Sequence, residues 1–205
     1  MSKRHIAIFT RAPVAGASKT RLIPLLGAEG AAHAQRVMTW HALEIACALP
    51  DASVSLWCAG DIAHPFLQLC SAHFQVECLS QCDGDLGMRM ADCLQRGLAL
   101  HERMLLIGSD CPAMASTDLA QAAAALDEAR MVFIPAEDGG YVLVGARRGG
   151  LETGCFEEVM WGSAEVMSQT RRQLTARGWG MGQDWCEMPA LWDVDTPDDF
   201  QRSCA

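Results

Sequence analysis

The sequence is short of positive charge. It has 16 Lys and Arg residues against 25 Asp and Glu residues, which gives a formal net charge of −9 at pH 7. A general nucleic-acid binder carries a basic face. The acidic balance therefore argues against a nucleic acid as a partner.

Long apolar runs are also missing. No run approaches the roughly 20 residues of a membrane-spanning helix. Residues 1–5 (Met-Ser-Lys-Arg-His) do not lead into the apolar core of a signal peptide. These two absences predict a cytoplasmic protein with no membrane partner.

Cysteine is plentiful, but the paired motifs of cysteine chemistry are absent. There are 10 cysteines, yet no C-x-x-C pair and no Cys/His group with the spacing of a zinc site. Cys78 and Cys82 form an isolated C-x-x-x-C. In the cytoplasm such cysteines are expected to be reduced thiols rather than a disulfide framework.

The residues that are present predict an α/β fold. The chain has 205 residues, half of them hydrophobic, which suits a single domain spanning 1–205. Short apolar runs predict strands at 6–9, 54–58, 75–79, 104–107, 131–135 and 142–145. Helical stretches are predicted at 28–49, 64–70, up to 100, 116–129, 164–176 and from 197. The alternation favours a Rossmann-like, mostly parallel sheet flanked by helices, with a small antiparallel extension.

Three residues at helix starts are predicted N-caps. Ser116, Ser163 and Thr196 each precede or open a helical stretch, and their side-chain oxygens can accept a free backbone N–H.

Asp110 ends the most continuous buried strand of the prediction. It follows residues 104–109, and ligands of open α/β sheets bind beyond the carboxyl ends of the strands. Capping of the next helix is the alternative role, but Ser116 is better placed for it. A carboxylate at this position needs a partner, either a metal ion or a basic side chain.

A basic loop, residues 11–21, follows the first strand. Arg11, Lys19 and Arg21 concentrate positive charge within an acidic protein, which favours an anion site such as a phosphate. The loop is not a P-loop, because Pro13 and Ser18 stand where that motif requires glycine. The alternative is a solvated basic loop.

Two glycine-containing segments give weaker signals. Residues 84–87 (Gly-Asp-Leu-Gly) allow close approach to a ligand, although an ordinary turn with Asp85 at a helix N-terminus explains them equally well. Residues 138–141 (Asp-Gly-Gly-Tyr) lie between two apolar runs and predict a hairpin turn. That turn could still face a substrate, and Tyr141 is the only tyrosine of the chain.

Two carboxylates precede the last helix. Thr196 as N-cap, with Asp198 and Asp199 in the first turn, accounts for a helix start. It does not account for Asp193 and Asp195, which project to the same face of an extended segment. Paired carboxylates with no neighbouring base suggest a hard cation, Mg²⁺ or Mn²⁺.

These motifs together resemble one family over nearly the whole chain. They are the basic loop (12–22), GDLG (84–87), GSDCP (108–112), EDGGY (137–141), WGS (161–163) and DVDTP (193–197). The combination resembles the glycosyltransferase-like family associated with radical-SAM and selenodomain proteins and named for arsenosugar biosynthesis. The resemblance implies a GT-A fold of the nucleotide-diphospho-sugar transferase type. It is also similar to the small nucleotidyltransferases of molybdopterin and deazaflavin-cofactor synthesis.

One departure from the family pattern concerns the acceptor side. Ile134-Pro135 stands where Gly-Pro is expected before the EDGGY run, which predicts an altered acceptor pocket.

The resulting prediction is a transferase that uses Mg²⁺ or Mn²⁺ and a nucleotide-activated donor. A glycosyltransferase acting on a nucleotide sugar is preferred by analogy with the family. A nucleotidyltransferase that releases pyrophosphate from a nucleoside triphosphate is the alternative, and a non-catalytic nucleotide-binding module is the third reading. The acceptor is a small molecule, and a homodimer is compatible with the sequence.

The predicted site residues fall into three groups. The catalytic group is Lys19, Asp110 and Asp138. The metal ligands are Asp110, Asp195 and, in reserve, Asp193. The substrate-binding group is Arg11, Gly16, Lys19, Arg21, Gly84, Gly87, Ser109, Gly139, Gly140, Tyr141 and Trp161.

Overall fold

The computed structural model describes residues 4–203, and its strands form one seven-stranded sheet. The strands are β1 (Arg4–Arg11), β2 (Ala52–Ala59), β3 (Glu77–Ser80), β4 (Arg103–Gly108), β5 (Met131–Pro135), β6 (Tyr141–Arg147) and β7 (Trp185–Glu187). The helices are α1 (Ile23–Cys47), α2 (Pro65–Phe74), α3 (Leu86–Leu100), α4 (Ser116–Ala125), α5 (Val166–Ala176) and α6 (Pro197–Ser203). The strand order is β3-β2-β1-β4-β6-β5-β7.

The sheet is mostly parallel, as predicted. β1 pairs in parallel with β2 and β4, β2 with β3, and β5 with β7. β6 alone runs antiparallel, to both β4 and β5. The predicted hairpin is therefore present, but its second strand lies inside the sheet, between β4 and β5, and not at one margin.

Helices cover both faces of the sheet. Ile6 and Ile8 of β1 pack into the core formed with α1, α2 and α4, whereas Ala7 faces the core formed with α3 and α5. Burial on both faces explains why the strands read as continuous apolar runs. In β4, the side chains of residues 104–107 are at most 3% exposed.

A third, smaller core joins α1 to the segment that precedes α6. Leu22, at the start of α1, packs with Ala31, Met38 and Val194, and Leu22 and Val194 are at most 1% exposed. This contact brings the basic loop, which ends at residue 21, next to residues 193–195.

Several element boundaries differ from the prediction. α1 begins at Ile23 rather than 28, because a first helical turn precedes a break at Gly27 (φ 71°, ψ 170°). Further shifts concern the ends of α1 (47 rather than 49), α2 (74 rather than 70) and α4 (125 rather than 129), and the start of β3 (77 rather than 75).

Two of the three predicted N-caps are wrong. The cap of α4 is Ala115, whose N–H donates to Asp118 Oδ2 at 2.8 Å, so a carboxylate one turn into the helix closes its start instead of Ser116. α5 is capped by Glu165 rather than by Ser163, whose Oγ accepts the Glu165 N–H at 3.3 Å from two residues earlier.

The predicted start of α6 is confirmed. Thr196 Oγ1 accepts the N–H of Asp199 at 3.3 Å, and Asp199 Oδ2 accepts the N–H of Thr196 at 2.8 Å. This reciprocal capping box explains Asp199 by local structure alone.

Two further observations concern the described part of the chain. The nine cysteines between residues 4 and 203 are all free, and Cys204 lies outside the described residues. No helix within residues 4–203 has the length and the apolar character needed to cross a bilayer.

A half-buried histidine lies at the opposite end of the sheet from Asp110. His5 bonds through Nδ1 to Ser53 Oγ (2.8 Å) and through Nε2 to Ser55 Oγ (2.7 Å), and its ring stacks on His101. Burial, aided by the neighbouring His101, lowers the pKa of His5 from 6.5 to about 4.

We expect acid to destabilise the protein through His5. Because its pKa is lowered in the folded state, the unfolded chain binds more protons between pH 6.5 and about 4. The associated stability is complete above pH 6.5 and falls by about 2–3 kcal/mol as the pH approaches 4. Urea unfolding of wild type and His5→Asn at several pH values should show that the variant lacks this part of the slope.

His33→Gln is the control for this measurement, since His33 lies on the exposed face of α1. It should keep the wild-type slope. If His5→Asn kept it as well, another group would be responsible for the acid sensitivity.

Candidate active site

A cleft of about 570 Å³ opens at the carboxyl ends of β1 and β4. Its walls come from the basic loop, the turn after β5, the segment 161–163 before α5, and the acidic segment 193–195. The cleft thus lies at the sheet edge where the sequence places Asp110.

The basic loop is closed by a buried serine. Ser18 is 1% exposed; its Oγ donates to the Ala12 carbonyl oxygen at 2.7 Å and accepts the Val14 N–H at 2.9 Å. Ser18 occupies one of the positions where a P-loop would have glycine, and here its hydroxyl fixes the loop. Lys19 follows with a left-handed backbone (φ 45°, ψ 47°), which is costly for a residue with a Cβ.

The acidic segment is tied directly to the end of β4. The Val194 N–H donates to the Asp110 carbonyl oxygen at 2.9 Å, and Cys111 Sγ lies 3.2 Å from the Trp192 carbonyl oxygen. As a result, Asp110, Asp193 and Asp195 each present a carboxylate oxygen within 4.8 Å of the others. We call these three side chains the carboxylate cluster.

Lys19 reaches into the carboxylate cluster. Its Nζ donates to Asp110 Oδ2 at 2.8 Å, to Asp195 Oδ1 at 3.1 Å and to the Val194 carbonyl oxygen at 2.7 Å. Burial acts to lower the pKa of Lys19, but the two carboxylates outweigh it and hold that pKa above its ordinary value. Arg21 adds a second contact, with Nη1 at 3.1 Å from Asp195 Oδ2.

Asp193 has no such partner. No Lys or Arg nitrogen of residues 4–203 lies within 4.0 Å of it, unlike Asp110 and Asp195. Burial, followed by repulsion from Asp110, Asp138 and Asp195, raises the pKa of Asp193 to about 7. Two cationic side chains, Lys19 and Arg21, thus face three carboxylates, and neither of them contacts Asp193.

The donor set fits a hard divalent cation. Mg²⁺ and Mn²⁺ prefer oxygen ligands, and Mg²⁺ typically takes one or two protein carboxylates and completes its shell with water and phosphate oxygens. Asp110, Asp193 and Asp195 supply carboxylate oxygens at one place, and the repulsion around Asp193 is of the kind that a cation would relieve.

A buried polar network at the base of the cleft was not predicted from the sequence. Gln35 of α1 donates through Nε2 to Thr10 Oγ1 (3.2 Å), Thr39 Oγ1 (3.1 Å) and Ser109 Oγ (3.1 Å). These contacts join α1 to the ends of β1 and β4 and hold Ser109 beside Asp110. The available signal was a Gln and a Thr four residues apart on the apolar face of α1, which need buried partners.

The turn after β5 places Asp138 at the cleft. Asp138 Oδ1 accepts the Gly140 N–H at 2.9 Å, and both residues line the cleft. Gly139 points the other way: a Cβ there would lie 2.1 Å from the Ala164 carbonyl oxygen, and its carbonyl oxygen accepts the Met167 N–H at 2.8 Å. Gly139 therefore docks the turn on the segment before α5.

Of the segment 84–87, only Leu86 is among the residues that line the cleft. Asp85 caps α3 by accepting the Met88 N–H at 2.8 Å, which is the ordinary-turn alternative. Gly87 is required by packing, because a Cβ there would lie 2.8 Å from the Trp161 ring and from the Phe156 carbonyl oxygen. Trp161 itself lines the cleft.

Tyr141 lines the cleft with its ring and not with its hydroxyl. The hydroxyl oxygen is buried, and burial raises the pKa of Tyr141 well above its ordinary value. The phenol stays neutral and packs edge-on against Phe133 and Trp161.

The predicted site residues separate into two sets. The cleft is lined by Arg11, Lys19, Arg21, Ser109, Asp110, Asp138, Gly140, Tyr141, Trp161, Asp193 and Asp195. Four predicted glycines are not among the lining residues: Gly16, Gly84, Gly87 and Gly139. Ile134 and Pro135, the departure from the family pattern, end β5 and are not lining residues either.

The chain belongs to the family described as "Uncharacterized protein conserved in bacteria (DUF2064)", whose model matches residues 42–163. No curated protein matches the sequence. An association with radical-SAM proteins stays a prediction.

Solved structures share the fold. A protein from Desulfovibrio desulfuricans described as a nucleotide-diphospho-sugar transferase has a TM-score of 0.85 and 28% identity, over 96% of this chain and 84% of that one. CMP:2-keto-3-deoxy-manno-octonic acid synthetase, solved with CTP, gives 0.60 and 16%, over 98% and 96%. The manganese complex of Rv0371c from Mycobacterium tuberculosis gives 0.56 and 17%, over 98% and 97%. The predicted GT-A-like fold is confirmed, and its structural relatives include nucleotide-using transferases.

Proposed function

We propose that the protein is a divalent-metal-dependent transferase that acts on a nucleotide-activated donor, and that the donor is a nucleotide sugar. The observation that carries the proposal is the meeting of Lys19 and Arg21 with Asp110 and Asp195 in one cleft. Cationic side chains suit the donor's phosphates, and carboxylates would suit a divalent metal that accompanies them.

Each side chain then has a role. Asp110, Asp193 and Asp195 would hold Mg²⁺ or Mn²⁺, and the metal would neutralise negative charge on the phosphates. Lys19 and Arg21 bind and orient the phosphate oxygens, and Arg11 extends this positive edge of the cleft.

Asp138 is the proposed catalytic carboxylate on the acceptor side. Its Oδ1 is held by the Gly140 N–H at 2.9 Å, and Oδ2 is assigned to accept a proton from the attacking group of the small-molecule acceptor. Gly140, Tyr141 and Trp161 shape that side of the cleft.

Glycosyl transfer rests on the 28% identical relative and on the family resemblance, which are analogies. Nucleotidyl transfer is the second candidate, because two basic side chains beside the metal ligands also suit a departing pyrophosphate. The relative solved with CTP supports the same candidate.

The nine free cysteines suit the cytoplasm, where we place the protein.

A ligand screen with product analysis tests the proposal. Nucleoside triphosphates and nucleotide sugars are tested by thermal shift with and without Mn²⁺, since a ligand of the folded state raises its stability. Nucleotides that stabilise the protein are incubated with candidate acceptors. Release of a nucleoside diphosphate supports glycosyl transfer, and release of pyrophosphate supports nucleotidyl transfer. No stabilisation by any nucleotide would contradict the proposal.

Removing either cation should weaken nucleotide binding. Lys19→Ala and Arg21→Ala each delete a donor of a charge-assisted hydrogen bond to phosphate, so each should cost about 1.5–3 kcal/mol of binding free energy. Isothermal titration in the presence of Mn²⁺ measures the loss. Arg36→Ala is the matched control, since Arg36 is an exposed residue of α1 that is not among the cleft-lining residues. Wild-type affinity in both loop variants would leave the loop as a solvated surface.

A further inference from the structure

The carboxylate cluster already contains a cation that belongs to the chain. Lys19 Nζ is surrounded by Asp110 Oδ2 (2.8 Å), the Val194 carbonyl oxygen (2.7 Å) and Asp195 Oδ1 (3.1 Å). The Lys19 side chain is only 10% exposed, whereas that of Arg21 is 67% exposed. The ammonium therefore bridges the two aspartates from β4 and from the acidic segment, as a bound metal would.

The backbone supports this placement. Lys19 adopts a left-handed conformation with φ 45°, and the next residues form a short helical turn, Thr20–Leu22, whose Leu22 is completely buried. A residue with a Cβ keeps such a conformation only where surrounding contacts enforce it. The contacts here are the three oxygens that hold its ammonium and the Leu22 N–H, which donates to the Lys19 carbonyl oxygen at 2.8 Å.

We propose that the Lys19 ammonium occupies the position of the divalent cation between Asp110 and Asp195 while no nucleotide is bound, and that Lys19 and the metal exchange when donor phosphates arrive. This inference rests on the proposed function. A divalent ion that takes the same oxygens as ligands must displace the ammonium, because two cations repel strongly at such short range. The incoming phosphates give the displaced ammonium new anionic partners.

The exchange makes metal and nucleotide binding mutually dependent. In the free protein, Lys19 and Arg21 offset the charges of Asp110 and Asp195, so a metal ion gains little by entering. Once phosphates draw the ammonium away, the same carboxylates attract the metal. Because linkage is reciprocal, a bound metal then strengthens nucleotide binding by the same factor.

The test is Mn²⁺ binding without any nucleotide. Isothermal titration or the electron paramagnetic resonance signal of free Mn²⁺ is recorded for wild type and for Lys19→Met, which removes the charge and keeps an unbranched apolar chain. We expect Lys19→Met to bind Mn²⁺ at least about tenfold more tightly than wild type, a coupling of ordinary size. Arg21→Met should show a smaller gain, since Arg21 contacts only Asp195 and is mostly exposed.

Arg89→Met is the matched control for loss of one positive charge. Arg89 also lines the cleft, but its Nε donates to the Gly84 carbonyl oxygen at 3.0 Å, and no carboxylate of residues 4–203 lies within ion-pair distance of its nitrogens. Its Mn²⁺ affinity should stay within a fewfold of wild type. Lys19→Gln replaces Lys19→Met if thermal melting shows that the methionine variant is not folded.

The outcomes separate this inference from the proposed function. If Lys19→Met binds Mn²⁺ no better than wild type, or if Arg89→Met gains as much, the exchange is overturned even where nucleotides bind the wild type. If Lys19→Met gains Mn²⁺ affinity but no nucleotide stabilises the wild type, Lys19 does occupy the cation position, and it is the nucleotide part, with the proposed function, that fails.

Discussion

Asp110→Asn is expected to abolish metal-dependent nucleotide binding while the protein stays folded. The substitution keeps the size of the side chain and leaves the backbone carbonyl oxygen of residue 110 to accept the Val194 N–H. It removes the negative charge that the proposed metal site requires. Loss of a partner that only orients a ligand costs 10–100-fold in metal affinity, so loss of a ligand should exceed about 100-fold. Isothermal titration of Mn²⁺ with the nucleotide present measures the affinity, and circular dichroism checks the fold.

Asp92→Asn is the control for Asp110→Asn. Asp92 forms an i,i+4 pair with Arg96 on α3, at 3.4 Å, and is not among the residues that line the cleft. Its loss should leave Mn²⁺ affinity unchanged. Should Asp110→Asn keep wild-type affinity instead, Asp193 and Asp195 would be the ligands, and Asp110 would serve only as the partner of Lys19.

Gly139→Ala is expected to cause a large loss of stability. The backbone of Gly139 has φ +95°, and an added Cβ would lie 2.1 Å from the Ala164 carbonyl oxygen. The strained backbone costs about 1–2 kcal/mol and overpacking a further 1–3 kcal/mol, so a loss of about 2–5 kcal/mol is expected in urea unfolding. The turn after β5 would also separate from the segment before α5, which lines the cleft.

Gly149→Ala separates the two contributions. Gly149 also has a positive φ (+73°), but nothing lies within 4 Å of an added Cβ. It should lose only the backbone part, about 1–2 kcal/mol. Equal losses in the two variants would mean that the Ala164 contact relaxes, and that Gly139 is required for its backbone conformation alone.

Local pattern was enough for the elements and for several single residues. The runs at 104–107 and 131–135 predicted strands, the first of them buried on both faces, and both are strands of a covered sheet. The Asp-Gly turn predicted the β5–β6 hairpin, and Thr196 predicted the start of α6. These features depend on backbone preferences and on burial, which the periodicity of a short stretch reports directly.

Two N-cap predictions failed because neighbouring residues decide where each helix begins. Ser116 and Ser163 are suitable cap residues, but Asp118 closes α4 and α5 starts after Glu165. For Gly87 and Gly139, which are predicted to bind substrate, the structure adds a packing reason that the sequence did not show: an added Cβ would meet Trp161 or Ala164.

The sequence by itself determined that basic and acidic groups follow strands of an α/β sheet, because charge type and strand ends can be read from neighbouring residues. Only the tertiary structure decided that these groups meet. Strand β6 lies between β4 and β5, and residues 191–195 return along the end of β5 to bond with the Asp110 backbone. The ion pairs of Lys19 with Asp110 and Asp195, and the buried contacts of Gln35, join residues from distant parts of the chain. Burial patterns report that a side chain has a partner but not which one, since the partner is chosen by the packing of the whole sheet.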